Sequence, residues 1–272
     1  MLPIRTLVLT LAALAMPLAA WPERRDSPEP GMAQVEVLPG WRTETGSHMA
    51  ALRITLAPGW KTYWRAPGDA GIPPRFGWSG SDNIASVAFH WPRPEVYQIN
   101  GMRSIGYYGE LVLPIELTPA RPGDPIRLRA EVELGVCEEI CVPITVRLAA
   151  ELPAAGRRDP AIVAALAARP STAREAGVSD IACRIEPIRD GLRLTASIDM
   201  PALGADEVAV FELPDQRIWV SESQGRRDGR RLIAASDLVP PSGAPFLLDR
   251  SEVRITVLGR GRAVELWGCP AG

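Results

Sequence analysis

The sequence predicts an all-β protein of two β-sandwich domains joined by a short, partly helical connector. Three observations carry that prediction. Short apolar runs alternate with polar residues between Pro and Gly breaks along most of the chain. One stretch near the middle loses that alternation and carries helix formers behind a capping residue. Aromatic residues are unevenly divided, with twelve of sixteen before residue 150, so the two β-rich halves are built differently.

Residues 1–20, MLPIRTLVLTLAALAMPLAA, place one positive charge at Arg5 ahead of an apolar stretch and end on small residues. This is the pattern of a secretory signal peptide cleaved after Ala20, and the apolar stretch is short for a spanning helix. Residues 21–33 are polar and proline-rich, a flexible lead-in. From residue 34 to 150 the β pattern predicts the first sandwich. Its clearest feature is a hairpin from Pro125 to Leu148: Ile126, Leu128, Ala130, Val132, Leu134 and Val136 alternate in one arm, and Val142, Ile144, Val146 and Leu148 in the other. One face of each arm is therefore apolar, as a sandwich core requires. The connector spans 151–178, with a helix expected behind Asp159 and a first-turn Pro160. A second sandwich follows over 179–272, with runs such as Leu192–Ile198, Glu207–Leu213, Val253–Val257 and Ala263–Trp267.

Charge excludes one class of partner. The net charge is −2, with 30 basic and 32 acidic residues, and loss of Arg5 with the signal peptide leaves 29 against 32, or −3. No basic stripe is present for a phosphate backbone, so nucleic acid is not expected as a partner. Nearly all the basic residues are Arg; Lys61 is the sole lysine. Two histidines, His48 and His90, leave little material for a zinc site, and no metal site is expected. Trp60, Tyr63 and Trp64 with Arg65 suit either an aromatic, cationic docking face or a core and its rim, and Asp69 beside Pro67-Gly68 reads as a turn residue.

Four cysteines allow three pairings. Domain boundaries favour Cys137 with Cys141 and Cys183 with Cys269. The second pair closes a loop of about 86 residues, which in the chain-entropy model stabilises by roughly 4–5 kcal/mol, a structural disulfide. The first closes a loop too short for that purpose. Three residues between paired hairpin positions place Cys137 opposite Cys141, yet Glu138-Glu139-Ile140 offers no Gly for a left-handed turn position, so a strained, reducible bond is expected. The two carboxylates also disfavour a nearby thiolate. The residues alone leave three uses open: a redox pair, a structural hairpin disulfide in a binding or assembly module, and a two-thiolate copper(I) site.

With Cys137-Glu-Glu-Ile-Cys141-Val-Pro143, the segment Gly59-Trp-Lys-Thr-Tyr-Trp-Arg-Ala-Pro-Gly-Asp-Ala-Gly71, Pro73, Trp91-Pro92, Gly101 and Tyr107-Tyr-Gly-Glu-Leu-Val-Leu-Pro114, residues 35–150 resemble the N-terminal domain of DsbD-type thiol–disulfide interchange proteins. The wording is nearest the ScsB branch, which is associated with copper tolerance. The resemblance implies an immunoglobulin-like periplasmic domain, a protein-disulfide reductase or exchange component without an organic cofactor. Its partners would be a thioredoxin-like domain or membrane electron-transfer protein on one side and periplasmic disulfide-bonded clients on the other. It implies Cys141 as the sulfur attacked and Cys137 as the resolving partner, with a cap loop over Tyr97–Arg103 in which Tyr97, Ile99 and Met102 cover the pair. The family's familiar members space their cysteines more widely and continue into a membrane domain; with the sequence ending at Gly272, the electron donor is expected to be a separate protein.

Overall fold

A computed structural model describes residues 31–99, 101–241 and 246–272. The expected signal peptide, and most of the lead-in, lie outside those residues. The first half contains β1 (Ala33–Arg42), β2 (His48–Leu56), β3 (Lys61–Tyr63), β4 (Arg75–Gly77), β5 (Ser86–Phe89), β6 (Glu95–Ile99), β7 (Met102–Tyr108), β8 (Glu110–Thr118), β9 (Ile126–Cys137) and β10 (Cys141–Leu152). One sheet has the order β1-β2-β8-β5; the facing sheet runs β10-β9-β3-β7-β6, with β4 pairing on β9. The alternation read in the sequence is what makes the two sheets stick. Ile126, Leu128, Ala130, Val132, Leu134 and Val136 of β9 all point into the core and are at most 4% exposed. They meet Leu52, Ile54, Leu113, Ile115 and Leu117 from the opposite sheet. The odd-numbered positions of β9 therefore face away from the core, and Cys137 ends that outer row.

The second half contains α1 (Pro160–Ala167), β11 (Ser171–Thr172), β12 (Asp180–Ile188), β13 (Gly191–Asp199), β14 (Val208–Glu212), β15 (Trp219–Val220), β16 (Gln224–Asp228), β17 (Arg231–Val239), β18 (Arg254–Gly259) and β19 (Arg262–Trp267). Its sheets are β11-β19-β18-β14 and β12-β13-β17-β15, with β16 on β17. Leu194, Ala196, Ile198, Leu232, Ala234 and Leu238 pack against Val253, Ile255, Val257, Val264 and Leu266. Cys183 on β12 is bonded to Cys269 just beyond β19, with Cα atoms 5.4 Å apart, so the bond ties one sheet to the other.

Asp159 caps α1 by accepting from the Ala161 and Ile162 amides, and Pro160 sits in the first turn, where its missing donor costs nothing. The helix is more than a connector. Ile162 and Ala165 bury against Leu38, Trp41, Met49, Ala51 and Val112, covering the outer face of the β1-β2-β8 sheet. That explains why β2 reads as a nearly continuous buried run instead of alternating.

The two sandwiches share an interface built on Arg65, which follows β3. Its Nε donates to Glu212 at 2.7 Å, and one terminal nitrogen donates to Glu212 at 2.9 Å and Glu265 at 2.6 Å. The guanidinium also lies 4.2 Å from the ring centre of Trp64. Burial pulls the Arg65 pKa down, but the bonds and charges of the two glutamates more than offset it and leave it raised. Leu258 and Ala263 of the second sandwich extend the core of the first.

Candidate functional site

Cys137 and Cys141 close the β9–β10 hairpin as a directly opposed pair, bonded to one another with Cα atoms 4.1 Å apart. The register continues across the sheet. Lys61 stands opposite Cys137 on one side and Tyr108 on the other, giving an outer-face row of Tyr108, Lys61, Cys137 and Cys141. Two residues along β3 from Lys61, and so on the same face, is Tyr63. Its hydroxyl is 2.9 Å from the Cys137 sulfur and 3.0 Å from that of Cys141. It also reaches the Ala70 carbonyl at 3.4 Å.

The two sulfur-bearing residues differ in access. Cys137 is 1% exposed. Cys141 is exposed, as are Glu138 and Glu139, and Ile140, which directly precedes Cys141, is 77% exposed. The tip therefore carries two carboxylates followed by an exposed apolar side chain, with one cysteine buried and the other open to solvent. Glu138 folds back so that its carboxylate lies over Gly59, which has no side chain to obstruct it.

Tyr63 is held from several directions. A Cβ added to Gly135 would stand 3.1 and 3.2 Å from two ring carbons of Tyr63 and 2.6 Å from Cβ of Ile72. One added to Gly71 would stand 2.8 Å from another ring carbon. The ring thus sits beside a glycine in β9 and beside the turn at 67–72, which β7 fixes through the Ile105 amide donating to the Pro67 carbonyl at 2.8 Å. Burial first, and then Tyr108, pushes the Tyr63 hydroxyl pKa up, so it stays protonated and acts as a donor. Burial pulls the Lys61 amine below its usual range.

The expected cap residues are differently disposed. Tyr97 packs edge-on against Tyr108, with ring centres 4.7 Å apart, and its hydroxyl donates to Glu95 at 3.3 Å, so it adjoins the cysteine row through Tyr108. Met102 is 49% exposed and lies six positions along β7 from Tyr108, roughly 20 Å by strand rise. Ile99 pairs with Met102 in the backbone register, and its side chain lies outside the described residues. What lies against the sulfurs is Tyr63, beside the 67–72 turn. Nothing in residue composition singled out Tyr63 for this. The one signal was the strand alternation that puts residues 61 and 63 on one face.

The aromatic docking face does not form. Trp64 is fully buried in the core, Arg65 is committed to Glu212 and Glu265, and Trp60 packs partly buried on the core. His90 Nε2 donates to the Glu116 carboxylate at 2.9 Å, away from the cysteines. Asp69 lies in the turn closed by the Gly71 amide and the Gly68 carbonyl. Among the described residues, no helix is long and apolar enough to cross a membrane.

A β-sandwich that carries a half-exposed disulfide at a hairpin tip, with a hydroxyl on both sulfurs, is a protein class suited to thiol–disulfide exchange. Residues 34–153, which make up the first sandwich, match the family described as thiol:disulfide interchange protein DsbD, N-terminal. The fold of the chain is similar to that of the N-terminal periplasmic domain of ScsB from Proteus mirabilis. That comparison has 24% identity and a TM-score of 0.67, and covers 90% of this chain and 96% of that one. The C-terminal domain of the Streptococcus agalactiae AgI/II polypeptide BspA aligns over 86% of this chain and 97% of its own, at 6% identity and a TM-score of 0.19. No curated protein sequence matches the chain.

Proposed function

We propose that the chain is a periplasmic thiol–disulfide interchange module that relays electrons between a thioredoxin-like partner and disulfide-bonded client proteins through Cys137 and Cys141. The observation that carries this reading is the unequal access of two cysteines in one register pair: Cys141 exposed, Cys137 1% exposed. A partner thiolate approaching from solvent meets Cys141 first. It forms a bond to the Cys141 sulfur, the Cys137–Cys141 bond breaks, and the electron pair stays on Cys137. Cys137 can attack back at the Cys141 sulfur and release the partner thiolate in its original state; alternatively the partner's second thiolate attacks the partner sulfur of the mixed disulfide, closing the partner's own disulfide and leaving Cys137 and Cys141 as thiols. The reduced pair passes its electrons to a client by the same steps in reverse order. Cys183–Cys269, with both residues at most 2% exposed, stays closed throughout as the structural bond.

Graded reduction followed by thiol alkylation and peptide mapping tests this. The 137–141 bond opens at reductant concentrations that leave 183–269 intact. If the two bonds open together, or only under denaturing conditions, the first pair is structural and the relay reading is wrong.

A further inference from the structure

We propose that Tyr63 is a catalytic residue of the exchange, its hydroxyl donating a hydrogen bond to the sulfur that departs when the Cys137–Cys141 bond is cut. The inference rests on the relay reading above and names a group that touches the reacting atoms.

The hydroxyl has one hydrogen and two sulfurs within reach, at 2.9 and 3.0 Å. Sulfurs in a disulfide are weak acceptors, and the nearby Ala70 carbonyl at 3.4 Å is a long contact. The balance changes as the bond breaks. Negative charge builds on the departing sulfur, and a hydrogen bond to a charged acceptor is about twice as strong as a neutral one. The interaction is thus worth more in the transition state than in the resting disulfide, which is the condition for it to accelerate the step.

The placement is built: the ring packs close to Gly71 and Gly135, where an added Cβ would stand 2.8 Å from one ring carbon and 3.1–3.2 Å from two others. Tyr63 is 2% exposed, so water does not compete for its proton. The groups facing it are Lys61 on its own strand, Tyr108 on β7, Cys137 on β9 and Cys141 on β10, with the Glu138 carboxylate turned onto Gly59. Charge balances without any further reactant. One thiolate enters, a partner–Cys141 bond forms, the Cys137–Cys141 bond breaks, and one thiolate remains on Cys137 while Tyr63 keeps its proton.

Tyr63→Phe retains the ring and removes the hydroxyl. Dithiothreitol is the probe thiol, with opening of the 137–141 bond followed by alkylation across pH 6–9 and Cys183–Cys269 read as an internal reference. The expected result is opening slowed by about tenfold, and a Cys137 thiol pKa raised by about one unit in the reduced protein. Opening of Tyr63→Phe at the parent rate with an unchanged thiol pKa overturns the inference. So does faster opening, which would make Tyr63 a shield. If instead the parent bond itself resists dithiothreitol as firmly as 183–269, the relay reading fails, and the thiol pKa comparison still decides the role of Tyr63.

Discussion

Replacing Arg65 by Met would remove the charge that holds the two sandwiches together while keeping an apolar stem over Trp64. Three charge-assisted bonds of 2.6–2.9 Å disappear, and two carboxylates are left facing one another. The nearest remaining cation is Arg254, 3.9 Å from Glu212. The side chains of Arg65, Glu212 and Glu265 are 14%, 17% and 25% exposed, so solvent screens the loss only in part. Stripping one partner from a buried pair costs about 3–5 kcal/mol, and partial exposure here brings the expected cost to roughly 2–3 kcal/mol. Arg65→Lys keeps the charge but loses the fork, and should cost about 1 kcal/mol. Adding Glu212→Gln and Glu265→Gln to Arg65→Met removes the unpaired charges and should restore most of the loss. Urea unfolding followed by tryptophan fluorescence reads the effect, because Trp64 lies directly beneath the guanidinium. A cost below about 0.5 kcal/mol for Arg65→Met, or no recovery in the triple variant, would refute the assignment of this cluster as the interdomain anchor.

Three other outcomes follow from the same structure. Cys183→Ala with Cys269→Ala should lower stability by about 4 kcal/mol, the closure entropy of a long loop, as measured by urea unfolding. Asp159→Ala removes the acceptor for two helix amides and should cost about 1 kcal/mol, with faster hydrogen exchange confined to α1 and the sheet beneath it. His48 is fully buried with its Nε2 2.6 Å from the Pro39 carbonyl, and burial lowers its pKa below 6.5. The unfolded chain therefore binds this proton more readily than the folded one, so stability is intact above pH 6.5 and falls as the pH drops below it. A thermal melt series should show that fall in the parent and a flatter profile in His48→Gln.

Much of this fold was legible because its cause is local. The β9 and β10 alternation dictated which face of the hairpin is buried, and from that the placement of both cysteines across from each other follows. Asp159-Pro160 marked the helix start for the same reason: a cap acts within three residues. What escaped the sequence depends on contacts between distant segments. Arg65 reads as a surface cation until Glu212 and Glu265 arrive from the second sandwich. Tyr63 reads as one aromatic among several until Gly135, in another strand, leaves room for its ring. The strand register sets Met102 six positions along β7 from Tyr108, and the turn at 67–72 lies beside Tyr63.

The central claim is that Cys141 meets the partner and Cys137 is the sulfur set free, and a trapping measurement with single-cysteine variants tests it most directly. Cys137→Ser, incubated with a purified single-cysteine thioredoxin-like domain activated as its thionitrobenzoate mixed disulfide, should release thionitrobenzoate and accumulate a mixed disulfide mapped to Cys141, whereas Cys141→Ser should trap little through the buried Cys137. Trapping through Cys137 in preference to Cys141, or through neither, would contradict the account.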